Sequence, residues 1–241
     1  MPLKKLPLLL FSTLSTVALF SFSANAQSAA QTPLVRVGQT TAAPTIDGEL
    51  GDDGWKNSIA VGDFTLTGNK TPASQKTQVR FVYDKNNLYV SWHVQESLLI
   101  FAQQMMDKVR SNATKHDDGV LAEDSVGLFM QPGSGTKMRE FTINSIGTLF
   151  DADSNRDQLW KTRDASWNAG ATVAARQEDG YWTAEIAIPW KAFDVSGPPN
   201  AGTAWALGLA RHAAGRGKSS SWNQNPSSAM HAMKNFGEMI F

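Results

Sequence analysis

The chain contains no cysteine. Thiol catalysis, thiolate metal centres, covalently attached c-type haem, lipidation of the mature N-terminus and a disulfide framework are all excluded with it. An excess of one charge is missing too. The 22 basic and 22 acidic residues cancel to a formal net charge of zero, which gives no support for nucleic acid or an anionic membrane as partner. Histidine is scarce, and His93, His116, His212 and His231 show no zinc spacing. No Gly-x-Ser-x-Gly elbow, His-Glu-x-x-His motif or phosphate-cradling glycine loop occurs. No pair of carboxylates is singled out for glycoside hydrolysis. The expectation is a protein without catalytic activity of its own.

The marked apolar run of the sequence stands at its start, Leu6 to Phe22, behind Lys4 and Lys5 and ahead of Ser23-Ala24-Asn25-Ala26-Gln27. Ala24 and Ala26 give the small-x-small pattern that signal peptidase cuts after, and the run is short for a membrane span. A secretory signal peptide over residues 1–26 is expected, with the protein free in the periplasm or the medium and no membrane anchor. Removing 26 of the 241 residues leaves 215, and without Lys4 and Lys5 the 22 basic residues become 20 against 22 acidic, a net charge of about −2. That length suits one all-β domain, residues 27–241.

What is present is aromatic side chain and period-two patterning. Eight tryptophans and twelve phenylalanines, three of the latter in the signal peptide, supply a core. Ala171 to Trp190 reads as two strands joined at Asp179-Gly180, where Asp-Gly offers the positive backbone angles of a tight turn. On the second strand Trp182, Ala184, Ile186 and Ile188 point to a core, while Thr183, Glu185 and Ala187 point to water. Val79–Tyr83 and Leu88–Val94 form another hairpin across the polar turn Asp84–Asn87. Further strands are expected at Leu34–Val37, Asp124–Met130, Arg139–Asn144, Thr148–Asp151, Ala204–Ala210, Ser219–Trp222 and Phe236–Phe241. Trp55 is placed at one end of the core, on a short helical turn. Leu98, Phe101, Met105 and Val109 fall at helical spacing and give one short helix over 97–110. The polar segment 152–168 is the longest surface loop. About ten to twelve strands and one helix indicate a two-sheet antiparallel β-sandwich, jelly-roll-like in class.

Several motifs, in order along residues 35–241, carry a resemblance. They are Ile46-Asp47-Gly48 with Trp55, Val82-Tyr83-Asp84 with Leu88-Tyr89-Val90, Glu123-Asp124-Ser125-Val126 with Phe129, and Phe141-Thr142-Ile143-Asn144. Gly180 to Trp190, Ser221-Trp222 and Phe236-Gly237 complete the set. Together they resemble the family 9 carbohydrate-binding module and its family-9-like domains. The resemblance implies a sandwich that binds oligo- or polysaccharide without chemistry, often with structural calcium, in support of polysaccharide breakdown. A glycoside-hydrolase label on such a chain would be inherited from larger enzymes that carry the module. Sugar-binding members clamp a terminal sugar between two tryptophans with a glutamate and an arginine. The matching positions here hold Leu121, Gly127, Thr142 and Met230, none of which is the expected residue.

The site has therefore moved or the ligand differs. Trp160 and Trp167, beside Arg156, Asp157 and Arg163, combine flat rings with hydrogen-bonding groups and are the candidate sugar platform; for Trp167 the alternative is a cover over the end of the sandwich. Asn144 stands at a family motif position, as a sugar contact or as a turn-stabilising amide. Asp117, Asp118, Glu123 and Asp124 form one acidic cluster and Asp151, Asp153 and Asp157 another. Asp124, at the family position, is the candidate calcium ligand. A second class of function is a haem- or redox-associated sandwich, with b-type haem between the sheets and Met230, His231 or Met233 as axial ligands.

Overall fold

The computed structural model describes residues 32–96, 111–225 and 235–241. The helix expected over 97–110, together with Met230, His231 and Met233, lies outside the described residues. The architecture is a sandwich of two mixed sheets. The N-terminal segment opens both. Strand β1 (Leu34–Arg36) pairs with β14 (Gly237–Ile240) in one sheet, and β2 (Gly38–Gln39) pairs with β5 (Thr77–Tyr83) in the other. Both of these pairings are parallel, whereas the sequence reading expected antiparallel sheets. They become possible because a strand pair distant in sequence needs no tight turn.

The first sheet runs β1–β14–β12–β7–β8–β9, where β7 is Ser125–Gln131, β8 Lys137–Asn144, β9 Leu149–Asn155 and β12 Ala204–Ala213. Strand β13 (Lys218–Ser221) lies along the far half of β12, and β4 (Thr65–Leu66) pairs with β13. The second sheet runs β10–β11–β6–β5–β2, where β6 is Asn87–Gln95, β10 Thr172–Glu178 and β11 Tyr181–Pro189; β3 (Ala60–Val61) pairs with β5. Fourteen strands are thus described.

The core follows the period-two pattern. Val126, Leu128, Met130, Phe141, Ile143, Leu207 and Leu209 meet Val79, Phe81, Val90, Trp92, Trp182, Ala184 and Ile186 between the sheets. Trp182, Trp190, Trp205 and Trp222 are all buried. In the β10–β11 turn only Gly180 takes a left-handed angle, φ +81°. In the β5–β6 turn, Asp84 Oδ1 accepts the Asn86 and Asn87 N–H groups at 2.7 and 2.8 Å, which closes the polar turn.

Three further sequence expectations need correction. Thr183 and Glu185 do not face water: Glu185 is fully buried and Thr183 is 5 % exposed. Segment 45–55 folds over that face. Glu185 Oε2 accepts the N–H groups of Asp47 (3.2 Å) and Gly48 (2.8 Å), and Oε1 accepts the Trp55 indole N–H at 2.9 Å. Thr183 donates its hydroxyl to the Gly48 carbonyl at 2.6 Å. Trp55 does sit on a short 3₁₀ turn, but it packs with Val82, Tyr89, Ile46 and Ala187 on the outer face of the β5–β6–β11 sheet, not at the core's end. Finally, segment 152–168 is not all loop. Strand β9 continues to Asn155 because Ala152 and Ser154 pair opposite Glu140 and Met138. A 3₁₀ turn and one turn of α-helix, α1 (Leu159–Thr162), follow it.

Candidate functional site

On β7, β8 and β9 the side chains that alternate with the core residues point to the outer face of the first sheet. The register there places Ala210, Gly127, Thr142 and Phe150 in one row and Gly208, Phe129, Glu140 and Ala152 in the next. Leu121, on the 3₁₀ turn Val120–Ala122, packs against Val120, Phe150 and Ala152. Three of the four positions singled out from the sequence, Leu121, Gly127 and Thr142, therefore converge on one patch. The fourth, Met230, lies outside the described residues.

Two further side chains stand in this patch: Glu140, which sequence reasoning did not single out, and Arg163, which it placed beside the candidate tryptophans. Glu140, 2 % exposed, receives the Arg163 guanidinium: Arg163 Nε donates to Oε2 at 2.9 Å and Nη2 donates to Oε1. The guanidinium carbon also lies 4.9 Å from the centre of the Phe150 ring. A carboxylate and a guanidinium in fork geometry beside an aromatic ring form a rigid polar unit. Glu140 could have been found, since it is two residues from Thr142 on the same strand face. Nothing local in the sequence pairs it with Arg163. Next to them the Thr142 hydroxyl is fully buried and makes no hydrogen bond among the described residues. An unmet buried hydroxyl costs about 1–3 kcal/mol, which a ligand oxygen could recover.

Asn144 lies one row further along the same face, and its amide is committed to the protein. Its Nδ2 donates to the Ala113 carbonyl (2.9 Å) and to Glu123 Oε2 (2.8 Å), while Oδ1 accepts the N–H groups of Ile146 (3.2 Å) and Thr148 (2.7 Å). The amide thus ties segment 111–123 to the β8–β9 turn. Arg156 borders the outer face at its other end, donating to Gln131 Oε1 at 2.8 Å with its guanidinium 4.5 Å from the Phe236 ring centre. Trp167 is on the opposite side of the sheet. It is half-buried against Phe141 of the core, and the Arg139 guanidinium lies 4.7 Å from its ring centre. Trp160 falls in α1; its side chain lies outside the described residues. Asn144, Arg156 and Trp167 are thus not gathered in one place.

Asp124 is buried; burial lowers the pKa of the nearby Arg211 guanidinium, opposed mainly by its ion-pair partner Glu96 and to a smaller extent by Asp124. A calcium site collects six or more oxygens. Among the described residues the ligand atoms that do meet are those of His116, Asp117 and Asp151. His116 Nε2 lies 3.1 Å from Asp151 Oδ1 and 3.3 Å from Asp117 Oδ1. Burial holds the Asp151 carboxyl above the usual carboxylate range, opposed by the Ala169 N–H and by His116. An imidazole nitrogen and two carboxylates are a poor set for calcium. His93 stacks on Tyr181 at 4.6 Å, and His212 Nδ1 lies 3.0 Å from Ser219 Oγ.

The chain is thus a two-sheet β-sandwich with a polar and aromatic patch on the outer face of one sheet. Comparison with known proteins gives the family. The family model described as "Carbohydrate family 9 binding domain-like" matches residues 46–241, and the chain belongs to that family. Three solved structures share the fold. One is a putative carbohydrate-binding protein from Bacteroides uniformis, with a TM-score of 0.70 at 14 % identity, covering 88 % of this chain and 100 % of that one. The others are a family 9 carbohydrate-binding module from Caldicellulosiruptor kristjanssonii in complex with cellotriose and with glucose. Their TM-scores are 0.53 and 0.52 at 18 % identity, covering 86 % of this chain and 93 % and 95 % of theirs. No curated protein matches.

Proposed function

We propose that the protein is a non-catalytic, exported saccharide-binding domain that supports polysaccharide breakdown, and that it binds sugar at the outer face around Thr142, Glu140 and Arg163. The observation that carries this reading is the convergence of Leu121, Gly127 and Thr142 on a patch that already holds a carboxylate, a guanidinium and an unmet hydroxyl. Sugar recognition needs directional partners for hydroxyl groups and an apolar surface for the C–H faces of the ring. Here Glu140, Arg163 and Thr142 supply the first and Phe150 the second. The neighbouring module's complexes with cellotriose and glucose support a β-glucan or its end as ligand. Thr142 is fully buried and Leu121 half-buried, so entry requires segment 111–122 to move outward. Arg156 stands as a rim contact in this reading. No helix among the described residues is long and apolar enough to cross a membrane, and the Lys4–Ala26 pattern supports export as a cleaved, unanchored protein. The comparisons give no support to a haem-binding function.

The test is calorimetric titration with cellotriose and xylotriose. Thr142→Val, which keeps the shape and removes the hydroxyl, and Glu140→Gln should each lower affinity about tenfold or more, the loss of one polar contact of about 1.5 kcal/mol. Wild-type affinity in both variants, with melting temperatures unchanged, sinks the assignment of this patch.

A further inference from the structure

Away from the Thr142 patch the sandwich has a concavity whose chemistry resembles that of a sugar site. It lies at one end, between the β7–β8 hairpin and the loop that follows β11, and encloses about 630 Å³. That falls within the roughly 300–1,000 Å³ of small-molecule sites. Its floor includes Phe193 and Trp205, whose rings pack 5.0 Å apart. Both belong to an aromatic cluster with Trp190 and Phe241, so the floor is rigid.

One wall is a preset polar group. Arg139 is 1 % exposed and fully engaged: Nε donates to the Ala192 carbonyl at 2.7 Å, Nη1 to Asp153, and Nη2 to Asp194 Oδ2 at 2.7 Å. Asp194, in the left-handed conformation at φ +59°, also receives Lys137 Nζ on the same oxygen at 3.2 Å. The buried arginine thus fixes the carboxylate, and the carboxylate fixes the lysine. Among the described residues no protein group reaches Asp194 Oδ1, the remaining Lys137 N–H groups or the Asn200 side-chain amide. These three border the groove and offer an acceptor, donors and a mixed pair. Adjacent hydroxyls of a sugar ring present that same alternation of donor and acceptor. Lys137 and Arg139 balance Asp153 and Asp194 in charge, so the wall selects neither an acidic nor a basic ligand.

We propose that this groove is a second saccharide subsite, which takes a neutral oligosaccharide segment with Lys137, Asp194 and Asn200 as its hydrogen-bonding residues. The ligand class rests on the saccharide-binding reading above; the location does not. Arg139 faces the core side of β8 while Thr142 faces outward, so the two sites can be changed separately. A domain with two sites would bind a long chain more tightly than either site binds a short one.

The experiment is amide chemical-shift mapping of the exported protein titrated with cellotriose, xylotriose and mannotriose. Dose-dependent shifts are expected at Gly133, Gly135, Lys137 and Gly197 as well as at the Thr142 patch. The Lys137→Ala/Asn200→Ala double variant, both exposed positions, should weaken the groove shifts at least tenfold and leave those of the patch. Thr142→Val should do the reverse. Shifts at the patch alone overturn the second subsite and leave the first reading standing. Groove shifts that survive the double variant overturn the assigned residues and the proposal with them. No shifts anywhere with the three sugars overturn both readings.

Discussion

Replacing Glu185 by alanine should cause the largest loss of stability available from one polar residue on the β11 hairpin. The carboxylate accepts three hydrogen bonds, from the Asp47 and Gly48 amides and the Trp55 indole, and they are what fastens segment 45–55 to the outer face of its sheet. Alanine leaves three donors without a partner in a buried setting, at about 1–3 kcal/mol each. Against this, the variant escapes the penalty of burying a charge, which already holds the Glu185 carboxyl above its ordinary range despite the three donors. A net loss of about 3–5 kcal/mol follows. At about 2–4 °C per kcal/mol for a domain of this size, melting should fall by about 6–20 °C. The pH dependence has a definite sign. A carboxyl raised in the folded state is protonated there while the unfolded chain's is already ionised, so stability falls as pH rises from about 4 through the raised value. Asp151 acts in the same direction. In Glu185→Gln that part of the slope should vanish, leaving the share from Asp151. Thermal melts by circular dichroism between pH 4 and 8 measure both effects. A Glu185→Ala protein that melts within 2 °C of wild type would refute the claim that these bonds hold the segment down.

Two further outcomes follow from local geometry and from sequence. A methyl group on Gly237 would meet Trp222 Cζ3 at 2.5 Å and the Pro33 carbonyl at 2.6 Å. Gly237→Ala should therefore separate β14 from its neighbours and cost about 1–3 kcal/mol or more, read as a lowered urea midpoint. Intact mass of the exported protein should place the N-terminus at Gln27; retention of residues 1–26 would overturn the signal-peptide assignment.

Much of the frame is legible in the chain. The hairpins over 79–94 and 171–190 show their alternation and their turn residues, and Asp84 and Gly180 perform in the structure the roles their chemistry suggests. Buried tryptophans such as Trp182 and Trp205 follow from the same period. Less of the candidate site can be read. The positions Leu121, Gly127 and Thr142 could be named, yet the neighbouring groups that give the patch its polarity could not. Glu140 meets Arg163 across 23 residues, through a turn and a short helix whose path no local pattern specifies. Trp167 could be read as a platform or a cover, and no local pattern shows that Arg139 is seated on its ring.

By itself the sequence determined the strand faces, the turns, the neutral charge and the absence of thiol chemistry, because each depends on residue type and near neighbours. Only the tertiary structure decided what covers each face. Alternation assigns Thr183, Glu185 and Ala187 to the side away from the core, but whether that side meets water depends on Trp55, 130 residues from Glu185. The same holds for the parallel pairings of β1 and β2, and for the groove behind Arg139. Period two records which way a side chain points. What waits there is fixed by segments far away in the chain, and that is where the binding chemistry lies.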